Sequence, residues 1–519
     1  MGSTTTDPPA AEYDVIIIGA GISGINAAYR LQTELPDYSY TILESRTAIG
    51  GTWDLFRYPG IRSDSDLHTF GFPWRPWPNP KAIADGASIL EYMNGCAEEF
   101  GIDRKIQYEK KLLAAEWSSK EASWTLSVER LSKSECEEKD QNLETFKARF
   151  VVFATGYYNY STPLETNIPN LSDFKGPIVQ PQFWPSDLDH ANKKIIIIGS
   201  GATAITLLPS LAETALKVTM LQRSPSYILT VPAEDPSGSL LRKLFPSWIS
   251  HRILRWKFLV LPFLFITFCK NFPNAAKKLM RRQTRAQLPS NIPLDPHFNP
   301  SYYPWEQRLC ICPDGDFYTA LRNGKADIVT DTISSVTATG IRTTSGQELE
   351  ADIIVTATGL KVQLGGGAKV TVDSNPVVFP EKFLWKSTMI EGVPNAAVSI
   401  GYTNASWTLG SDTAAFLICR VLKYMRANGF ESATPSLSND RPSSSAVKYK
   451  TGGDWKGMRS TPLLNLSSTY LEKAKGDLPK AGNRGPWLPR SNYFFDRWVG
   501  VWGDLTSGLS FVGIEKKEV

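Results

Sequence analysis

Histidine is scarce in this chain, with four residues in 519. The six cysteines (Cys96, Cys136, Cys269, Cys310, Cys312 and Cys419) form no CxxC pair and no zinc spacing. These scarcities argue against a metal centre, so no metal site is expected. Cysteine use of this kind fits a reduced, cytoplasmic setting. Long apolar runs are missing too. The best candidate, 258–269, would span only ~18 Å as a helix, against the ~30 Å of a hydrocarbon core. Residues 1–9 are polar and carry no signal peptide. Met1, Gly2 and Thr6 match a myristoylation pattern, but the match is too short to count. Acid is absent from 236–294, where eleven Lys or Arg stand. With a chain total of only +4, the remainder is net acidic, and no nucleic-acid partner is expected. A hydrophobic fraction of 42% with 21% charge marks a globular chain, and the length suits about three domains.

What is present is a strand–glycine–helix pattern, twice. Asp14-Val15-Ile16-Ile17-Ile18 reads as a buried parallel-sheet strand. It runs into Gly19-Ala20-Gly21-Ile22-Ser23-Gly24, with helix continuing through 28–31. In such a unit the first glycine makes the turn and the second lets a pyrophosphate touch backbone. The third packs helix on strand, and the helix start offers N–H groups to phosphate. Thr41-Ile42-Leu43-Glu44 supplies the next strand, with Glu44 twenty residues past Gly24. A carboxylate there accepts ribose hydroxyls and repels a 2′-phosphate, favouring FAD or NAD.

The second unit runs from Lys194-Ile195-Ile196-Ile197-Ile198 into Gly199-Ser200-Gly201-Ala202-Thr203-Ala204. A strand at 218–221 then ends in Gln222-Arg223-Ser224. Here a cation, Arg223, holds the discriminating place, and a guanidinium clamps a 2′-phosphate bidentately, so the site reads as NADPH. Opposite charges at matching positions imply a flavoprotein reduced by NADPH. The expected fold is α/β with two dinucleotide-binding, Rossmann-like domains.

Between these units, residues 50–64 have neither a helical nor a strand repeat. Gly50-Gly51-Thr52-Trp53 and Tyr58-Pro59-Gly60 set small residues beside large rings, which suits a planar cofactor, and Asp64 follows as a placed charge. Two apolar strands, 150–153 and 352–355, close in Ala154-Thr155-Gly156 and Ala357-Thr358-Gly359 and read as paired crossings between domains. Leu364-Gly365-Gly366-Gly367 is expected to be flexible, 414–425 to be a helix, and 435–453 to be a mobile loop. The basic, apolar window 236–294 leaves two readings open. One is a helix lying at a membrane surface as a peripheral contact. The other is a buried helix lining a substrate cavity with solvated basic flanks.

The pattern Gly51-x-Trp53-x4-Tyr58-Pro59-Gly60-x3-Asp64 is similar to a fingerprint of type I Baeyer–Villiger monooxygenases. The likeness extends over nearly the whole chain. At 305–317 and 401–409 the chain resembles the ethionamide-activating monooxygenase subgroup in particular. The resemblance implies an FAD domain interrupted by an NADPH domain that carries a helical insertion. The expected division is 1–160 (FAD), 161–231 (NADPH), 232–300 (insertion), 301–356 (NADPH again) and 357–519 (FAD again and the C-terminal region). It also implies that Arg308 is the catalytic arginine and Asp64 the carboxylate that holds it. The implied chemistry passes hydride from NADPH to FAD and forms a C4a-peroxyflavin with O2. Attack on a hydrophobic ketone then gives an ester or lactone. The same cofactors would serve S- or N-oxygenation, or oxidation of NADPH without oxygen insertion. Two departures stand out. In Phe174-x-Gly176-x3-Gln180-x3-Trp184, Gln180 replaces the fingerprint histidine and cannot become a cation. Gln307 stands where family members often carry lysine, which leaves more of the 2′-phosphate grip to Arg223.

Overall fold

A computed structural model of the protein describes residues 11–131, 142–438, 447–450, 453–464 and 469–514. Its organising strand is Ala11–Ile18, whose Ile16 and Ile17 are fully buried. Apolar on both faces, it pairs in parallel with Tyr40–Leu43 on one side and Leu143–Phe153 on the other. Parallel neighbours need a crossover, and the helix Ile22–Glu34 provides it, burying Ile25, Ala28 and Leu31. The sheet grows antiparallel through Lys110–Ser118 and Ser123–Arg130. Much later in the chain, Ala396–Val398 joins Leu143–Phe153 and Lys369–Val372 joins Lys110–Ser118.

A second, all-parallel sheet is built from the chain between those two visits. Its order is Ala326–Thr330, Lys217–Gln222, Lys194–Ile198, Ile353–Thr356 and Ile178–Val179. The structure is therefore α/β with two Rossmann-like sheets. The connections between them run side by side, since the Asn159 N–H donates to Lys361 O (2.8 Å) and the Gln363 N–H to Tyr157 O (3.0 Å).

Between Lys217–Gln222 and the return to this sheet stand three helices, Pro236–Leu244, Ser247–Asn271 and Pro273–Arg285. The apolar run 258–269 is the second half of the middle helix, which at 25 residues is about 37 Å long. Pro262 deletes one backbone hydrogen bond, and the helix continues through it. The helix is only partly buried, at Ser250, Leu254, Ile266 and Cys269, which corrects the expectation of a buried helix. No helix among the described residues is long and apolar enough to cross a membrane.

Gly365–Gly367 forms a short turn in which all three glycines take positive φ. Residues 439–446 and 451–452 of the expected mobile loop lie outside the described residues, as do Cys136 and the Met1, Gly2 and Thr6 of the acylation pattern.

Candidate functional site

The first nucleotide loop is built by close backbone packing. Gly19 takes φ 104°, and a Cβ at Gly24 would sit 1.9 Å from Gly19 O, so helix and strand touch where only glycine fits. Gly21 is the N-cap of Ile22–Glu34 with no side-chain cap, leaving first-turn N–H groups aimed at the loop. Glu44 is buried and accepts from the N–H groups of Ala20 (2.7 Å) and Arg46 (2.9 Å). That pins its carboxylate across the loop.

The stretch 50–64 folds directly over this site. A Cβ on Gly51 (φ 55°) would meet Gly21 Cα at 3.3 Å, so the two glycines bring their backbones together. Thr52 Oγ1 is 3.0 Å from Tyr160 OH, and Trp53 packs edge-on against Phe70. Buried Asp54 ties the turn down through Arg46 and Arg57 (3.0 Å). Trp407 adds a wall, donating to Ser23 Oγ (3.0 Å) and stacking on Tyr157 at 4.9 Å.

The second loop repeats the plan around Gly199 (φ 133°) and Gly201, N-cap of Ala202–Ala212, with buried Ala204 in the third place. A Cβ on Gly201 would meet nothing within 4 Å, so this loop faces open space. Arg223 and Ser224 stand exposed at the end of Lys217–Gln222. Tyr58 is not at the first loop; its hydroxyl bonds Thr203 of the second unit. Gly60 (φ 74°) likewise abuts Thr206 and Ser210, where a Cβ would clash. The 50–64 stretch therefore spans both units. Thr358 bonds Thr166 Oγ1 (2.7 Å), and Gly359 (φ 112°) packs on Tyr470, both in the return crossing.

Arg308 stands between the two units. Its Nη2 donates to Ser65 Oγ (3.3 Å), and Asp64, Tyr157, Tyr158 and Tyr470 face it electrostatically. Its side chain is solvent-accessible, with dense protein around it. Burial works against its charge, but Asp64 and the three tyrosines hold its pKa above the ordinary value. Burial raises the Asp64 pKa, against the pull of Arg308 and Arg62. Among the described residues the two do not meet in a direct ion pair, so Asp64 acts on Arg308 through its field. Burial, followed by neighbouring tyrosines, pushes Tyr157 and Tyr158 far above their usual range, so both hydroxyls stay protonated. Burial lifts the nearby Cys310 thiol to about 12, which removes it as a nucleophile. The segment carrying Arg308 also walls a cleft of about 530 Å³ with Cys269, Pro273, Tyr303, Trp305, Glu306 and Leu464.

Set beside known proteins, residues 17–85 match the model of an NAD(P)-binding Rossmann-like domain. Over 485 residues the chain is 46% identical to the FAD-containing monooxygenase EthA of Mycolicibacterium smegmatis, covering 93% of this chain and 94% of that protein. The chain belongs to the FAD-containing monooxygenases. The enzyme is also 41% identical to the probable FAD-binding monooxygenase AlmA of Acinetobacter baylyi, covering 93% of each. In fold it is similar to a steroid monooxygenase solved with NADP (TM-score 0.73, 20% identity, 97% and 100% coverage). A closed cyclohexanone monooxygenase is similar as well (TM-score 0.63, 20% identity, 82% and 87% coverage).

FAD fits the first site on its own geometry: Gly21 leaves the first-turn N–H groups of its helix uncapped by any side chain, and Glu44 is fixed across the loop by two backbone N–H groups. Several of the enzyme's site neighbours are not evident from sequence spacing. Ser65, Tyr157, Tyr158 and Tyr470 converge on Arg308 from three distant segments, and Tyr160 on Thr52. Their one local signal is the aromatic run Tyr157-Tyr158-Asn159-Tyr160 just past the first crossing. Gln180 caps the short turn Pro181–Phe183 with its carbonyl, accepting the Phe183 N–H (3.0 Å). Its buried neighbour Gln182 donates to Asn159 O (2.6 Å), tying this segment to the crossing.

Proposed function

We propose that the enzyme uses NADPH and O2 to insert one oxygen beside the carbonyl of a hydrophobic ketone, giving an ester or lactone. The observation that carries this reading is Arg308, a permanent cation bonded to Ser65 and facing Asp64 and three tyrosines from distant segments. FAD, reduced by NADPH, supplies the redox and oxygen-transfer chemistry. Gly19, Gly21, Ser23, Gly24, Glu44, Gly51, Thr52 and Trp53 hold it, and Thr358 and Gly359 border it at the return crossing. Gly199, Gly201, Ala202, Thr203, Ala204, Arg223 and Ser224 bind NADPH, with Tyr58 bracing Thr203. Arg308 stabilises negative charge as it develops on oxygen, and a guanidinium does this without giving up a proton. Asp64 keeps that guanidinium aimed, and the closed 50–64 stretch keeps water out.

A second reading is oxygenation of a sulfide or amine, which the same cofactors and the same Arg308 site would serve. We assign 1–160 and 357–519 to the FAD domain and C-terminal region, 161–231 and 301–356 to the NADPH domain, and 232–300 to the insertion. The enzyme is placed in the cytoplasm, with a peripheral membrane contact through 236–294.

Mass spectrometry of products from ketones, aldehydes and sulfides, beside NADPH consumption, tests the reading. Arg308→Ala is expected to cut product formation by about 10²–10³-fold, and Asp64→Asn by less, with flavin still bound. NADPH consumed without any oxygenated product would overturn oxygen insertion altogether.

A further inference from the structure

Large apolar side chains stand exposed on the middle insertion helix, Ser247–Asn271. Trp248 is 62% exposed, Trp256 59%, and Leu261 and Leu264 54% each. The helix is held to the body by Arg255, which donates to the carbonyls of His68 (2.7 Å) and Gly71 (3.0 Å), and by buried Leu254. A second helix from a remote part of the chain, Tyr493–Trp502, lies beside it. Its Phe494 stacks on Trp256 (6.1 Å) and meets Phe263 edge-on (5.4 Å). On this second helix Arg497 pairs with buried Asp412 (3.1 Å), and Gly500 packs on Thr413. Phe495, Trp498 and Trp502, spaced i, i+3, i+7, are 52%, 55% and 69% exposed. That spacing is the apolar stripe of an amphipathic helix, and here the stripe points away from the body.

Two independent segments thus contribute to one apolar face, and large rings left in water need a partner. The charge decides which. The insertion carries eleven Lys or Arg and no acid between 236 and 294. Two of these cations are taken by flanking acids, Lys257 by Asp235 and Arg281 by Asp295. Lys243, Arg252, Lys270, Lys278, Arg282 and Arg285 remain exposed, and Arg252 lies over the Trp248 ring at 5.5 Å. A second copy of the chain packed symmetrically here would set cations against cations, with no acid of the window to offset them. An anionic lipid surface complements both features: rings settle at headgroup depth and cations meet the lipid phosphates.

We propose that Ser247–Asn271 and Tyr493–Trp502 together form a docking face that lies in the headgroup layer of an anionic membrane. Trp248, Trp256, Trp498 and Trp502 enter the boundary. Such a face sets the enzyme beside a store of apolar ketones. This inference rests on the peripheral contact assigned to 236–294, and it is independent of which substrate is oxidised.

The test is sedimentation of the full-length, FAD-loaded enzyme with vesicles of phosphatidylcholine, with and without phosphatidylserine. Strong pelleting with phosphatidylserine, lost in high salt, is expected. The double variants Trp498→Ser/Trp502→Ser and Trp248→Ser/Leu264→Ser should each weaken binding about tenfold or more. Arg252→Glu/Lys270→Glu should abolish the preference for phosphatidylserine. Retained flavin absorbance and unchanged NADPH consumption would show that the variants fold. Equal pelleting with both vesicle types, or none, overturns the proposal. So does a dimer, seen by analytical ultracentrifugation without lipid, that the tryptophan variants dissociate. Loss of binding in the 248/264 pair but not in the 498/502 pair overturns the two-helix face while leaving the contact through 236–294. Failure of the oxygen-insertion reading would appear in the product assay and not in pelleting.

Discussion

In the first nucleotide unit Gly21 faces Gly51 across a backbone contact, whereas in the second unit Gly201 faces open space. The same contrast runs through the discriminating side chains. Glu44 is buried and fixed by two backbone N–H groups, while Arg223 stands exposed at its strand end. Both units use one plan of strand, glycine turn and uncapped helix start, yet the first is closed over by 50–64, Tyr160 and Trp407, and the second is open. A closed site suits a cofactor that stays through many turnovers, and an open one suits a cofactor that must enter and leave in each. The shared plan binds phosphate; the covering sets how long the ligand remains.

The largest effect expected from this contrast lies in a matched pair of substitutions. In Gly24→Ala the new methyl would lie 1.9 Å from Gly19 O. That overlap exceeds what a core absorbs for the about 1–3 kcal/mol typical of overpacking. Purified Gly24→Ala should be colourless or unfolded. Gly201→Ala meets no protein atom within 4 Å, so it should fold and stay yellow, while its methyl occupies the phosphate approach and raises KM for NADPH. Flavin absorbance and KM measured on both variants check the contrast, and a colourless Gly201→Ala would break it.

Next in size is the cofactor choice at the open site. Arg223→Ala should reduce the preference for NADPH over NADH by about 10- to 100-fold, the equivalent of one charge-assisted bidentate contact. Flavin content should not change. Equal rates of flavin bleaching by NADPH and NADH in the unaltered enzyme would remove Arg223 from the site.

These features differ in how plainly they are written in the chain. Both loops are legible because each is local: four apolar residues, three small ones and a charge at fixed spacing determine strand, turn and helix start. Arg308 is singled out through resemblance, but its surroundings are not, since Ser65, Tyr157, Tyr158 and Tyr470 meet only when the two crossings pack side by side. Tyr58 shows the same limit: its place in the 50–64 stretch suggests the first loop, while Gly60 turns it onto Thr203 of the second. The insertion helix eluded pattern reading for a different reason. An apolar run marks where the chain is greasy, not which side of a helix tertiary contacts will cover. Here Arg255 and Leu254 hold the helix to the body, while Trp256 and Leu264 stay outside.

The smallest effect concerns what keeps the closed site closed. His68 sits in the short helix Leu67–Phe70, just past 50–64, and packs at 5.0 Å on Phe258 of the insertion. Burial, then the charge of Arg242, lowers its pKa from 6.5 to about 4, against a smaller pull from Asp235. A histidine with a depressed folded pKa contributes stability that is complete above about 6.5 and is lost as pH falls towards 4. At pH 5.5 the loss is about 1 kcal/mol. Mild acid should therefore loosen this brace and speed flavin release, and His68→Phe, which keeps a ring against Phe258 and cannot titrate, should flatten the dependence. The second unit holds a histidine of its own, His297, whose ring bonds Thr330 (2.8 Å) and whose pKa burial lowers, so KM for NADPH should respond to acid independently of His68. Flavin release rate and KM for NADPH, followed from pH 7 to pH 5.5 in both proteins, distinguish a closure held by His68, whose replacement flattens flavin release alone, from general acid loosening, which the replacement leaves unchanged.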